Sequence, residues 1–148
     1  VFGNAQVYDN VWVGENVLVG NDAQVYGYAQ ILGNSLVVGD AQVCDSARFS
    51  GDAQIYNSDD YSTIQGFGKG YRNITFFKQS DGSIGVNCQR YDCFDETGEY
   101  FFDTIDKFRE YTSLIMNKKM AKEYLVIADL MENHFRNLSI EEVQEWDD

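Results

Sequence analysis

The hydrophobic pattern of the first sixty residues repeats every six positions. Ten apolar side chains follow one another at this interval without an insertion or a deletion. A small residue precedes most of them by two places, and Gly, Asp, Glu or Asn follows each by two places. This period suits neither a lone helix nor an antiparallel meander, and it predicts a parallel β-helix in which each hexad gives one short strand and one turn. The apolar positions are Val1, Val7, Val13, Val19, Val25, Ile31, Val37, Val43, Phe49 and Ile55.

Three hexads would close one coil, so residues 18 positions apart should lie on neighbouring coils. Like residues do recur at this interval, as expected for side chains that share hydrogen bonds or apolar area along a stack. Ten hexads predict about three coils, roughly 15 Å tall at the spacing of neighbouring strands. The columns are Gln6, Gln24 and Gln42; Tyr8, Tyr26 and Cys44; and Ala5, Ala23 and Ala41.

The remaining residues, 61–148, have the pattern of a small α+β module. Residues 57–60 break the hexad, and segment 71–78 is rich in β-branched and aromatic side chains. A turn signal at 80–82 and an alternating segment at 83–88 complete the pattern of a β-hairpin. A further aromatic stretch, interrupted by a Gly-containing turn, predicts additional short extended segments.

Two to three helices are expected toward the end of the chain. Asp103 is the predicted N-cap of a first helix that reaches Ile115, and residues 119–135 have the apolar spacing of a second helix. Ser139 and Glu142 form the pattern of a capping box for a short third helix. The predicted apolar face of the second helix consists of Met120, Tyr124, Ile127, Leu130, Met131 and His134.

The fold class is therefore mixed β/α, with two domains at residues 1–60 and 61–148. The first is a short parallel β-helix, and the second is an α+β module with a β-hairpin and two to three helices. Because the open edge of a short β-helix must be capped or paired with another chain, the second module is expected to pack on one end. Val1 is already in phase with the repeat. We therefore expect a piece of a longer protein, with upstream coils or self-association covering the other end.

Two hexads resemble the motif of hexapeptide-repeat proteins, namely Val13-Gly14-Glu15-Asn16-Val17 and Val19-Gly20-Asn21-Asp22-Ala23. The resemblance implies a left-handed β-helix, and the hand comes from the resemblance alone, because parallel crossovers in ordinary sheets are right-handed. The best-known members of this family are trimeric acyltransferases with a histidine as general base. Residues 1–60 contain no histidine, and the only one in the chain is His134. The resemblance thus implies the scaffold and not the activity.

Both parts together resemble phage and prophage proteins of unassigned activity. Those proteins join repeats of the Gly-Asp-Ala-Gln-Val-Tyr type to a module whose motifs recur here. The resemblance implies a phage origin, and with it the cytoplasm of an infected bacterial host. The matching segments are Gln65-Gly66-Phe67-Gly68, residues 72–77, Cys93-Phe94, Asp106-Lys107-Phe108 and Ala121-Lys122-Glu123-Tyr124-Leu125.

The net charge of −13 is spread over both parts. Residues 1–60 hold eight acids and one base, and the remainder holds sixteen acids and ten bases. Such a surface repels nucleic acid and anionic membranes, so neither is an expected partner, whereas a protein with a basic surface is. Acids that recur from coil to coil would give that partner a regularly spaced negative array. The predicted interaction surface consists of Asp22, Asp40, Asp52, Gln24, Gln42, Tyr8 and Tyr26.

The three cysteines do not have the pattern of a disulfide framework, because their number is odd and their spacing irregular. We expect a reducing compartment. Cys88 and Cys93 have no second pair of candidate zinc ligands to accompany them, so no metal is expected. No signal peptide is visible in the sequence given, although a segment that precedes Val1 could carry one, and no apolar run reaches the roughly 18 residues that a membrane span needs.

A glycine-rich stretch at residues 66–72 is the candidate for small-molecule binding. Its backbone N–H groups and bases could hold a nucleotide or another small anion, with Gly68, Lys69 and Arg72 as the binding residues. The stretch lacks the ending of a Walker motif. The favoured alternative is a glycine-rich turn that leads into a strand. No catalytic residue and no cofactor are predicted, since no Ser/His/Asp or Cys/His set has support in the sequence.

These features predict a non-enzymatic, oligomeric binding protein, a dimer or a trimer, that engages a basic host or phage protein. One form would be an inhibitor of a host nucleic-acid-binding defence complex that acts by acidic mimicry. The alternatives are a small-anion or nucleotide-binding module at residues 66–72, a structural component of a virion, and, less favoured, a relative of the hexapeptide acyltransferases.

Overall fold

The computed structural model of the protein describes residues 1–67, 72–89, 99–115 and 118–137. In the first sixty residues, strands three apart pair in parallel and form three sheets of three strands, with orders β1-β4-β7, β2-β5-β8 and β3-β6-β9. The register joins residues 18 apart, such as Gln6 with Gln24 and Gln24 with Gln42. The predicted coil of three hexads is therefore confirmed. The strands are β1 (Gln6–Val7), β2 (Trp12–Val13), β3 (Leu18–Val19), β4 (Gln24–Val25), β5 (Gln30–Ile31), β6 (Leu36–Val37), β7 (Gln42–Val43), β8 (Arg48–Phe49) and β9 (Gln54–Ile55).

Two positions of each hexad point into the coil, because side chains two apart on a strand share a face. The apolar position and the small residue two places before it are both inside. Ile31 and Val43 are fully buried, and so are Ala29 and Ala41. The small residues are needed because three sheets converge around a narrow core. The fully buried side chains of this core run from Val19 to Ile55.

The position two places after the apolar residue forms the corner between sheets. Most corners have left-handed backbone, with φ of 69° at Gly33, 65° at Asp9 and 56° at Asn21. Glycine adopts this region without strain, and Asn and Asp are the side-chain-bearing residues that tolerate it best. The recurrence of Gly, Asp and Asn at this position therefore has a backbone cause. Glu15 and Asn57 are exceptions, since neither has a positive φ.

The described ranges of the second part form a four-stranded antiparallel sheet, of order β10-β11-β12-β13, and two helices. The predicted hairpin is confirmed as β11 and β12, with a turn at Gly82. The sequence does not indicate β10, because the glycines of the stretch that begins at Gly66 obscure the end of the strand. The elements are β10 (Tyr61–Phe67), β11 (Arg72–Lys78), β12 (Ile84–Gln89), β13 (Glu99–Phe102), α1 (Ile105–Ile115) and α2 (Lys118–Asn137), preceded by a short 3₁₀ helix (Ser58–Asp60).

Two expectations about the helices are wrong. The backbone N–H of Lys107 donates to Thr104 Oγ1 at 3.2 Å, so Thr104 is the N-cap of α1, and Asp103 instead forms an ion pair with Lys107. On α2, Tyr124 is fully buried, but Leu130 is 56% exposed, because the sheet covers only part of the apolar stripe. The predicted third helix, with Ser139 and Glu142, lies outside the described residues.

Strand β11 is buried on both faces and joins the two parts of the fold. Ile74 and Phe76 point toward the helices and lie in a second core with Phe108 and Tyr124. The alternate residues point toward the last coil of the β-helix. Among them, Phe77 belongs to the core of the coil itself.

Polar side chains of the module pair with the open edge of the last coil. At β8, the N–H of Arg48 donates to Thr75 Oγ1 at 3.1 Å, and the amide of Asn87 donates to the carbonyl of Arg48 at 2.8 Å. The amide of Asn73 donates to the carbonyl of Ser46 at 2.6 Å. These contacts replace the next strand, which the edge lacks, so the edge is blocked against pairing with another chain.

The other two edges of the last coil are capped in the same way. At β7, the hydroxyl of Tyr61 donates to the carbonyl of Gln42 at 2.8 Å. Next to β9, the N–H of Asp52 donates to Gln79 Oε1 at 3.5 Å, and the N–H of Ser80 donates to the carbonyl of Asp52 at 3.1 Å. The module thus caps all three sheets, as the sequence predicted in outline.

Replacing Thr75 by Val tests this cap. The change keeps the shape of the side chain but leaves the partly buried N–H of Arg48 without its acceptor. We expect a loss of about 1–3 kcal/mol in the free energy of unfolding, measured by urea denaturation. Thr112→Val is the matched control, because Thr112 is equally buried but its Oγ1 has no hydrogen-bond partner within the described ranges. That control should be neutral or stabilising, and equal losses in the two variants would contradict the capping role.

Candidate functional site

Six of the seven residues of the predicted interaction surface lie together on one side of the β-helix. They belong to the sheet β1-β4-β7 and to the corner that precedes it. We name the outward residues of this sheet the Gln–Tyr face. Its members are Gln6, Gln24, Gln42, Tyr8, Tyr26 and Cys44.

The centre of this face is a stacked column of aromatic rings. The ring centroids of Tyr8 and Tyr26 are 5.3 Å apart, and the rings are within 6° of parallel. Tyr8 is 44% exposed, so much of its ring is open to a partner. The column continues through Cys44, whose hydrogen bond raises the pKa of Tyr26. Tyr61 lies beside the same thiol, and burial raises the pKa of Tyr61 above its usual range.

Carboxylates line both edges of the Gln–Tyr face. Asp22 and Asp40 are exposed on the preceding corner, one coil apart, and the amide of Asn4 donates to Asp22 Oδ1 at 3.3 Å. Asp9 and Asp45 occupy the following corner, both with left-handed backbone. One Asp9 oxygen accepts from the N–H of Gly27 at 3.1 Å.

The only base in the β-helix lies on a different face. Arg48 follows Trp12 and Gln30 in the column of sheet β2-β5-β8, and burial lowers its pKa. The Gln–Tyr face is therefore bordered by four acids, with no base in the repeats to neutralise them.

Asp52, the seventh predicted residue, does not join this face. It follows Gly51 at the corner after β8, and both its backbone N–H and its carbonyl are engaged by the capping module. Conversely, the sequence prediction left out Asp9 and Asp45. The interval of 18 residues would have found them, because Asp9 and Asp45 are two coils apart in one column, whereas Asp52 is 12 residues from Asp40.

The candidate anion-binding residues are only partly described. Gly68 and Lys69 lie outside the described residues. Arg72 is the first residue of β11 and pairs with Phe67 of β10, but its side chain is outside what the structure describes. The anion-binding hypothesis therefore stays a prediction.

No significant match to a protein-family model, a curated protein or a solved structure was found for this chain. The chemistry of the site therefore has to be inferred from its own geometry.

Within the described ranges, His134 and the two described cysteines lie apart from one another. His134 Nε2 lies 3.2 Å from the carbonyl oxygen of Asp59, and its ring packs edge-on against Phe135. Cys88 is buried in the second core, and Cys44 belongs to the Tyr column. Within the described ranges, no cluster of His, Cys, Asp and Glu could hold a metal ion, and no helix is long and apolar enough to span a membrane.

The chemistry of the Gln–Tyr face suits cationic side chains. Carboxylates pair with Lys and Arg, the exposed face of a Tyr ring attracts a cation, and Gln amides both donate and accept hydrogen bonds. The arrangement follows the flat side of the coil and is not enclosed in a cavity. It is therefore better matched to the surface of a protein than to a small molecule.

Proposed function

We propose that this protein is a non-enzymatic, oligomeric binding protein whose Gln–Tyr face engages a protein with a basic surface. The observation that carries the proposal is the joint placement of Asp22, Asp40, Asp9 and Asp45 around the Tyr pair, on a face without a base. Lys and Arg side chains of the partner pair with the carboxylates at the edges. A cation also lies over the exposed ring of Tyr8.

The charge pattern favours a partner that ordinarily binds nucleic acid. Such proteins carry basic surfaces that meet phosphates, and a regular column of carboxylates competes for the same side chains. Together with the resemblance to phage proteins, this supports inhibition of a host defence complex in the cytoplasm of an infected bacterium. The proposal includes a left-handed coil and assembly as a dimer or a trimer, both based on the resemblance to hexapeptide-repeat proteins.

The binding proposal predicts a location-specific effect of charge reversal. Asp22→Lys with Asp40→Lys should weaken binding to basic nucleic-acid-binding proteins of the host by about tenfold or more at low salt, chiefly through slower association. Binding of the unchanged protein should also weaken as salt rises. Biolayer interferometry with immobilised protein measures both effects.

The matched control is Glu15→Lys with Asp52→Lys. It makes the same change in net charge at a different corner, and both side chains are exposed. We expect this control to retain most of the affinity. Equal losses in the two double variants would mean that net charge, and not the Gln–Tyr face, governs binding. An affinity that does not change with salt concentration would exclude the proposal.

Two alternatives stay predictions. A nucleotide or small-anion site at residues 66–72 depends largely on residues outside the described ranges. A structural role in a virion is tested by purified particles, which would have to contain the protein.

A further inference from the structure

The sheet β3-β6-β9 presents a mostly apolar surface to solvent. Its register places Leu18 beside Leu36 and Leu36 beside Gln54 on successive coils, and none of its outward side chains is charged. Phe2 extends the surface on the first coil, because its backbone N–H donates to the carbonyl of Val19. We name these outward residues the apolar face. Its side chains are Phe2, Leu18, Leu36, Val38, Gln54 and Tyr56.

Two aromatic rings lie along the apolar face. The Phe2 ring lies directly over Gly20, where it occupies the space that a Cβ would need. The Tyr56 hydroxyl donates to Gln54 Oε1 at 3.4 Å, which keeps the Tyr56 ring beside that side chain. Phe2, Leu18 and Tyr56 are 48%, 54% and 50% exposed. Together they expose roughly 300 Å² of apolar surface, the size of the patches that often mark an interaction site.

The apolar face shares an edge with the Gln–Tyr face. Asp22 and Asp40 lie on the corner between the two sheets, where both are exposed. The opposite edge carries Glu15 and Asp52, which are also exposed. The only base of the repeats, Arg48, belongs to the third sheet. The surface therefore has an apolar centre and an acidic rim, and an apolar centre with a polar rim is typical of protein–protein interfaces.

The charge of the rim decides between two kinds of occupant. A second copy of the chain would place its own apolar face against this one. Because both edges are acidic, twofold arrangements that align the two coils would bring carboxylates against carboxylates. A partner with Lys or Arg beside its apolar side chains avoids this repulsion and pairs with the carboxylates instead. The rim thus favours a basic partner over self-association.

We propose that the partner of the Gln–Tyr face also contacts the apolar face, across the corner of Asp22 and Asp40, with an amphipathic helix that carries adjoining apolar and basic stripes. The inference rests on the proposed function, because both use these two carboxylates. Apolar residues on successive turns of a helix are about 5–6 Å apart, close to the roughly 4.8 Å between coils. Successive turns of the partner helix therefore lie over Leu18 and Leu36, while its basic stripe meets the acids of the corner.

Two synthetic helical peptides test the inference against the full chain. One has a stripe of Leu beside a stripe of Lys, and the other has Gln in place of every Leu at the same charge. By isothermal titration calorimetry at physiological salt, we expect the Leu–Lys peptide to bind about tenfold more tightly or better, because only it buries the apolar face. Leu18→Gln with Leu36→Gln should remove this advantage. Gln suits these positions, since Gln54 follows them in the same column.

The matched control is Trp12→Gln with Leu32→Gln, which removes exposed apolar side chains from the side of the coil formed by β2-β5-β8. It should leave the preference for the Leu–Lys peptide intact. Circular dichroism should show an intact fold in every variant. Asp22→Lys with Asp40→Lys should weaken the binding of both peptides, which separates the charge contact from the apolar contact.

The outcomes distinguish this inference from the proposed function. Equal affinities for the two peptides would overturn the inference and leave the proposed function standing, whereas binding that survives the reversal of Asp22 and Asp40 would contradict both. A Leu–Lys advantage that survives Leu18→Gln with Leu36→Gln, or no binding of either peptide, would overturn the inference. A smaller oligomer of that variant in light scattering would assign the apolar face to a second copy of the chain, and would also overturn it.

Discussion

Replacing Phe77 by Ala should lower the free energy of unfolding by about 3–5 kcal/mol, the range for buried Phe. Phe77 is fully buried in the core of the coil although it belongs to the second part of the chain. Its ring meets Phe49 edge-on, with centroids 5.6 Å apart, and stacks on Phe101. Removing it leaves a cavity at the junction that neither part can fill alone.

The geometry around Phe77 makes relaxation into that cavity difficult. Its ring lies against Gly85 of β12, so closely that a Cβ there would come within 2.4 Å of it. The backbone around the ring is held by strand pairing to β12 and by the capping hydrogen bonds to the last coil. Because the surroundings cannot collapse, we expect a loss toward the upper end of the range.

Urea denaturation measures the loss, with Tyr28→Ala as control. Tyr28 is 67% exposed at a corner, so its removal should change stability by no more than about 0.5 kcal/mol. A loss below about 1 kcal/mol in Phe77→Ala would contradict the view that this ring closes the core of the coil.

Replacing Gly33 by Ala should be nearly as destabilising. We expect a loss of about 2–5 kcal/mol in the free energy of unfolding, from backbone strain and overpacking together. Gly33 has φ of 69°, and an added Cβ would come within 2.6 Å of the carbonyl oxygen of Gly51 in the next coil. This oxygen and the backbone nitrogen of Gly51, which lies 2.7 Å from the added Cβ, belong to backbone that is tied into the stack. The clash can therefore be relieved only by separating the coils locally.

Gly82→Ala separates the two contributions. Gly82 has φ of 85°, similarly left-handed, but nothing lies within 4 Å of an added Cβ. Its loss should reflect backbone strain alone, about 1–2 kcal/mol. Thermal and urea unfolding of the two variants give the comparison. If Gly33→Ala cost no more than Gly82→Ala, the close approach of stacked corners would not contribute to the choice of glycine there.

The candidate site was partly accessible from the sequence, because the length of the repeat fixes which residues lie next to each other on neighbouring coils. The interval of 18 residues alone places Gln24 next to Gln42 and Tyr8 next to Tyr26 on neighbouring coils. Charge alone could not place Asp52 relative to the other acids, since an acid can occupy any of three corners. Its corner is identified only when its distance in sequence from Asp40 is compared with the 18-residue length of one coil.

The sequence by itself determined the β-helix. The apolar and small positions determine which side chains point inward, and Gly, Asn or Asp determine where the left-handed corners lie. Both preferences act within one hexad, so they can be read from the local sequence. The hairpin and the helices followed from equally local patterns.

Only the tertiary structure decided how the coil is closed. Thr75 and Asn73 have the character of ordinary strand residues, yet each pairs with the last coil across 27 positions of sequence. The local sequence likewise does not show that Phe77 enters the core of the coil or that Leu130 is exposed. These outcomes depend on which surface the folded module presents to each residue, and no local preference of the residue encodes that.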